Sequence, residues 1–327
     1  MKKASVLCCV ILMVLGVFVL GCGNKERQKE EKLIVNTEDK IQVMATIFAP
    51  YDFARQVLGE YGQVNMLLPP AVESHSYEPT PQDIINIQNC DVFVYVGGES
   101  DTWVKGILEE IDTTNIKIIS LMDCISGLEG EAKEHVEHQE DGHSHEHEHG
   151  AYDEHVWTYP KNAIAIVEAM TAVFEQLDQQ NAAAIKEQSN AYVGALQALD
   201  ASFQQVVEQG QRNTLIFGDR FPLLHFVEAY ELDYFAAFPG CAEDTEPSAA
   251  TLTFLIDKVK EENIPVVFHI ELSNQGITDT ICNSTGAKKQ MFHTCHNISK
   301  EDLEQGETYL SLMEKNVVVL KEALGEK

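Results

Sequence analysis

The chain has 327 residues, 44% of them hydrophobic, and a formal net charge of −29. That acidity argues against nucleic acid and anionic lipid surfaces as partners and favours cations. Eight cysteines without a CxxC pair among them indicate neither a zinc ribbon nor a full disulfide framework.

At the N-terminus Lys2 and Lys3 precede an apolar run from Ala4 to Leu20, followed by Gly21-Cys22. A charged n-region, an apolar h-region and a small residue at the cleavage point are the marks of a secretory signal. Cys22 after Val19-Leu20-Gly21 resembles a bacterial lipobox, with Val19 where leucine is more usual. Residues 1–21 are therefore expected to be a lipoprotein signal peptide, with Cys22 the lipid-bearing first residue of the mature chain. An uncleaved anchor helix is the alternative, and either places the rest of the chain outside the cytoplasmic membrane. Residues 22–39, with the charged stretch GNKERQKEEK, read as a tether. Of the remaining cysteines, Cys282 and Cys295 form a candidate bridge that spacing cannot establish.

Strands and helices then alternate. Lys40 to Ile47 (KIQVMATI) and Val64 to Leu68 read as strands, with helical spacing from Ala49 to Leu58 between them. Thr80 to Asn89 reads as a helix with Pro81 in its first turn. Val92 to Val96 (VFVYV) is a continuous apolar strand of the kind buried on both faces. A helix from Trp103 to Ile111 and a strand from Ile116 to Leu121 follow. The segment Glu134 to Gly150, EHVEHQEDGHSHEHEHG, carries His135, His138, His143, His145, His147 and His149 among acids, with Val136 its one aliphatic residue. It has nothing to bury but offers many imidazoles to a metal such as zinc.

From Pro160 to Gly210 no strand is expected. Pro160 to Leu177 gives one helix, and Asn181 to Glu208 a second of about 42 Å, long enough for a strut. The alternation resumes with strands at Thr214–Phe217, Tyr234–Phe238, Val266–Glu271 and Lys289–His293. Helices are expected at Leu223–Tyr230, Ser248–Glu262, Thr278–Ser284 and, closing the chain, Lys300–Leu324. The fold class is α/β: two lobes of (β/α) type with mostly parallel sheets joined by one long helix. The N-terminal lobe spans 40–180, the linking helix 181–209 and the C-terminal lobe 210–327. Such a pair of open sheets puts the binding site in the interlobe cleft, beyond the carboxyl ends of the strands.

Histidines fall at such places. His75 lies in ESHSYEPTPQD after a strand, His155 in the apolar DEHVWTYP, and His293 and His296 in FHTCHNIS at a strand end. Loops from both lobes thus supply His75, His155, His293 and His296, the kind of donor set that tetrahedral zinc gathers from distant sequence. His269, inside an apolar strand, reads as a core residue. There is no P-loop, GxGxxG or GxSxG.

SHSYEPTP at Ser74 to Pro81, the acidic His-rich loop, HVWTYP at His155 to Pro160 and AEDTEPSAATL at Ala242 to Leu252 occur in that order. Together they resemble the metal-binding (zinc and manganese) solute-binding proteins of ABC importers. The resemblance spans nearly all of the mature chain. It implies a non-enzymatic, monomeric receptor that captures Zn2+ as transported ligand and delivers it to a permease with its ATPase, at the periplasm or cell surface. Two departures stand out. Many members place a histidine where this chain has Gly218, with Asp219 and His225 the nearby substitutes. The family's usual strand-end aspartate corresponds to the FHTCH segment, with His293 the closest match and His296 next on the same loop, and Glu271 in HIELSN is a further candidate oxygen donor. Imidazole-rich donors favour zinc over manganese. Competing readings are a zinc-dependent metallohydrolase, with Glu78 or Glu154 as base but no HExxH arrangement, and a surface adhesin or metal-store lipoprotein.

Overall fold

A computed structural model describes residues 40–72, 77–98, 101–126, 153–240 and 247–325. The signal, the tether, His75 and the His-rich segment lie outside the described residues.

The first lobe holds β1 (Ile41–Ala45), α1 (Phe48–Leu58), β2 (Gly62–Met66), α2 (Pro81–Gln88), β3 (Val92–Tyr95), α3 (Thr102–Glu110) and β4 (Lys117–Ser120). Its strands are all parallel in the order β2-β1-β3-β4. Central β1 and β3 are the most apolar and the most buried, as strands covered on both faces must be. Pro81 stands at the start of α2, where its missing amide costs nothing, and Thr80 and Asp83 close a capping box there.

Two helices follow, α4 (Pro160–Leu177) and α5 (Ala182–Gln209). The buried residues of α5 are Ile185, Ser189, Tyr192, Leu196, Leu199, Phe203 and Val206, a single stripe at alternating spacings of four and three. Near one end Tyr192 meets Phe53 of α1, with ring centroids 6.3 Å apart. Near the other, Phe203 meets Phe226 of the second lobe at 4.9 Å. The stripe is the seam along which both lobes pack.

The second lobe repeats the first: β5 (Thr214–Phe221), α6 (Leu224–Ala229), β6 (Asp233–Pro239), α7 (Ala249–Glu261), β7 (Val266–His269), α8 (Gly276–Thr285) and β8 (Lys288–Met291), closed by α9 (Lys300–Glu304) and α10 (Tyr309–Leu324). Its parallel order, β6-β5-β7-β8, is equivalent to that of the first sheet. Each sheet has a small apolar cluster on one face, around Phe93 and Val104 or around Val267 and Leu255. Their other faces merge with α4, α5 and α10 into one continuous core.

Three details depart from expectation. The strand beginning at Thr214 runs to Phe221 because its register shifts between Phe217 and Arg220 and pairing with β6 resumes beyond the shift. The closing helix is two helices: Gly306 takes φ +79°, and Thr308 caps a new start with its side chain accepting from the Ser311 amide. The Cys282–Cys295 bridge is absent. Both are free thiols, Cys282 on α8 and Cys295 buried in the loop after β8.

Candidate metal centre

The segments that leave the carboxyl ends of both sheets converge. His155 precedes a 3-10 turn, Val156–Thr158, that leads into Pro160 at the start of α4. The Thr158 amide and hydroxyl both donate to the His155 carbonyl, at 3.1 and 2.8 Å. The imidazole is fully buried. Its Nδ1 donates to Asp153 Oδ1 at 2.5 Å, and the His155 amide donates to the same oxygen at 2.9 Å. In the neutral ring this places the proton on Nδ1 and leaves Nε2 as the lone-pair nitrogen. Burial disfavours both charges, but the pairing outweighs it: the Asp153 carboxyl is held down to about 2, and the His155 pKa is raised.

Across the crevice, the loop after β8 is shaped by hydrogen bonds to its peptide groups. Asn316 on α10 clamps His293, Oδ1 accepting the His293 amide and Nδ2 donating to its carbonyl, both at 2.7 Å. His293 Nδ1 accepts the Cys295 amide at 3.0 Å, and Cys295 stands at φ +58°. Glu271 follows β7 and accepts from Thr294 N (2.8 Å), Thr294 Oγ1 (2.6 Å) and His296 N (3.1 Å). The His296 carbonyl in turn accepts from Phe48 N of the first lobe at 3.2 Å.

These two constructions bring His155 and His296 ring to ring, with centroids 5.3 Å apart and planes at 77°. The indole of Trp157 lies against both, 5.4 Å from His155 and 5.2 Å from His296. Trp157 Nε1 donates to Thr294 O at 2.9 Å, and its carbonyl accepts Tyr309 Oη at 2.7 Å. Asn297 Nδ2 also crosses the lobes, donating to Pro69 O at 3.1 Å and Val72 O at 2.5 Å. Those carbonyls stand at the base of the segment that continues to His75.

The other candidates are placed as follows. Asp219 sits at the β5 register shift, with Oδ1 accepting Arg220 N at 2.8 Å and Oδ2 accepting Ile270 N at 3.2 Å. Arg220, Ile270, Glu271, Thr294 and His296 share one small crevice. A Cβ at Gly218 would stand 2.7 Å from Thr278 Cα, so a side chain there would require the backbone of α8 to move. A histidine at that position would force the backbone at Thr278 to shift, and Asp219 is the oxygen-bearing residue next to it. His225 Nε2 donates to Asp153 O at 2.8 Å, so it steadies the His155 segment from the second lobe. His269, buried in β7, donates from Nδ1 to Ile270 O at 2.9 Å. Among the described residues no three His, Cys, Asp or Glu side chains stand as a complete metal-holding group. Sequence reasoning missed Asp153 and Trp157. Their signal was present in the Asp-x-His-x-Trp spacing, which puts a carboxylate and an indole two residues either side of a buried imidazole.

A family model described as zinc-uptake complex component A, periplasmic (ZnuA), matches residues 43–323. The chain belongs to this family. Among relatives, the high-affinity zinc uptake system protein ZnuA of Bacillus subtilis is 31% identical, across 94% of this chain and 93% of that protein. The zinc-binding lipoprotein AdcA of Streptococcus pneumoniae serotype 4 is 30% identical across 100% of this chain, which spans 62% of AdcA's own length. The crystal structure of the Zn(II)-bound ZnuA-like domain of S. pneumoniae AdcA superposes with a TM-score of 0.72 at 27% identity, covering 87% of this chain and 99% of that one. Within the ZnuA family fold, the crevice between equivalent sheets is the face on which His155 and His296 meet.

Proposed function

We propose that the protein is an extracytoplasmic zinc receptor, anchored through lipid on Cys22, that captures Zn2+ and hands it to an ABC permease driven by its ATPase. The observation that carries this is the meeting of His155 and His296 across the lobe interface, with Asp153 setting the tautomer of one. Membership in the zinc-uptake family and the zinc-bound AdcA domain support the choice of cargo. No helix among the described residues is long and apolar enough to cross a membrane.

The donors in this reading are His75, His155 and His296, with Asp219, next to Gly218, as the oxygen donor. His293, Glu271 and His225 serve the loops: His293 Nδ1 is taken by the Cys295 amide, the Glu271 carboxylate by Thr294 and His296, and His225 by the Asp153 carbonyl. Three imidazoles and one carboxylate make a four-coordinate set suited to zinc rather than to an octahedral, oxygen-rich manganese site. Titration of metal-free protein with each ion tests it. Zinc is expected to bind far more tightly, and equal affinities or a preference for manganese would refute the reading.

A further inference from the structure

We propose that Glu271 is a positioning residue of this metal centre, acting on the metal through His296 and not as a ligand. The inference rests on the reading of His296 as a zinc donor.

Glu271 is buried and stands two residues beyond the end of β7, against the loop after β8. A carboxylate offers about four lone-pair sites. Oε1 accepts from both Thr294 Oγ1 and His296 N, and Oε2 accepts from Thr294 N. His293 Nδ1 lies a further 3.7 Å from Oε2. Both oxygens are thus turned into the 294–296 turn, and Oε1 is already filled.

The turn needs that help. Cys295 takes φ +58°, a left-handed conformation that a non-glycine residue keeps only when its surroundings over-determine it. Two of the three hydrogen bonds to Glu271 come from backbone amides on either side of Cys295. Trp157 grips the same turn from the opposite side, through Thr294 O. Glu271 and Trp157 therefore pin Thr294 between them, and His296, two residues on, faces His155 as a result. Charge-assisted bonds to a carboxylate are the strong kind, so losing them frees the turn before any other part of the loop.

The experiment is a double-mutant cycle of Glu271→Ala with His296→Ala, read by zinc affinity and by X-ray absorption at the zinc edge. Glu271→Ala should weaken zinc binding by about 10- to 100-fold, the range for partners that orient a ligand. It should also reduce the imidazoles around zinc by one, as His296 drifts away. In the His296→Ala background, Glu271→Ala should cost almost nothing more. Additive losses with an unchanged imidazole count would overturn the proposal and make Glu271 a ligand. An unaltered affinity in Glu271→Ala would overturn it too. Should Glu271→Ala fail to fold, Glu271→Leu, which keeps the bulk and removes both acceptor oxygens, is taken through the same cycle with the same criteria. If His296→Ala alone leaves affinity unchanged, the donor assignment of His296 fails first, and this inference falls with it.

Discussion

On the first lobe's side of the crevice, His155 is held by its ring: Asp153 takes the Nδ1 proton, and burial does the rest. On the second lobe's side, His296 is held by its peptide groups, with Glu271 on its amide and Phe48 N on its carbonyl. The ring-held imidazole has its tautomer and its basicity set by a neighbour. The backbone-held one has its position set, and its ring packs against Trp157. One lobe therefore tunes chemistry while the other supplies geometry, and substitutions on the two sides should fail in different ways.

The largest effects come from removing either imidazole. His155→Ala and His296→Ala are each expected to weaken zinc binding by about a thousandfold or more, beyond the 10- to 100-fold that orienting partners cost. Competition against a chelator of known affinity measures both. If one variant binds as tightly as wild type, the pair does not share a metal and the comparison collapses.

Asp153→Asn separates the lobes more finely. It should weaken zinc by about 10- to 100-fold at neutral pH, because the imidazole loses the carboxylate that makes it a better donor. It should also change the pH profile. Asp153 raises the His155 pKa, so in wild type protons compete with zinc from a higher pH, and affinity falls as pH drops through that raised value. Without the carboxylate the fall should begin at lower pH. For the metal-free protein the sign reverses. The raised His155 pKa contributes stability that is full below the ordinary 6.5 and fades as pH rises through the raised value. The Asp153 contribution is present above the ordinary 3.8 and is lost as pH falls through about 2. Thermal melts of metal-free wild type and Asp153→Asn should therefore differ most between about pH 4 and 6.5, and no difference there would remove the tuning role.

Sequence patterning reached the fold further than it reached the site. Both four-stranded parallel sheets and the α5 strut follow from apolar runs and helical spacing, which are local signals. The loop contacts are not local. That His155 and His296 meet depends on a Trp157–Thr294 hydrogen bond spanning 137 residues of sequence. That His293 turns its Nδ1 to a neighbouring amide depends on a left-handed Cys295, which no residue-type preference announces. Gly218 was legible as a departure, but its reason, the close approach of Thr278, lies in another element.

A smaller effect should come from the packing that the backbone-held side relies on. Trp157→Phe keeps a ring beside the imidazoles and removes the Nε1 donor to Thr294 O. One buried hydrogen bond is worth roughly 0.5–1.5 kcal/mol, so a loss of at most about tenfold in zinc affinity is expected. Zinc titration of the variant, with a melt of the metal-free form as control, reads the affinity loss against any loss of stability. A loss as large as that of His296→Ala would mean that the indole does more than hold the turn.

The smallest effect on the tight site should come from the most histidine-rich segment. His135, His138, His143, His145, His147 and His149 are set among acids, with Val136 the only aliphatic residue nearby. In sequence none has apolar neighbours like those that flank His155, so nothing in the segment is expected to fix an imidazole for tight binding. Six imidazoles with acidic neighbours are expected to attract zinc weakly. Deleting residues 134–150 should therefore lower the total zinc bound per chain while leaving one tight site within about twofold of its wild-type affinity, the scale of a surface change remote from the ligands. Equilibrium dialysis gives the stoichiometry and chelator competition the affinity. Were the deletion to abolish tight binding while His155→Ala spared it, the metal would belong to the segment, and the ring-held and backbone-held pair would have to be read as a structural contact between lobes.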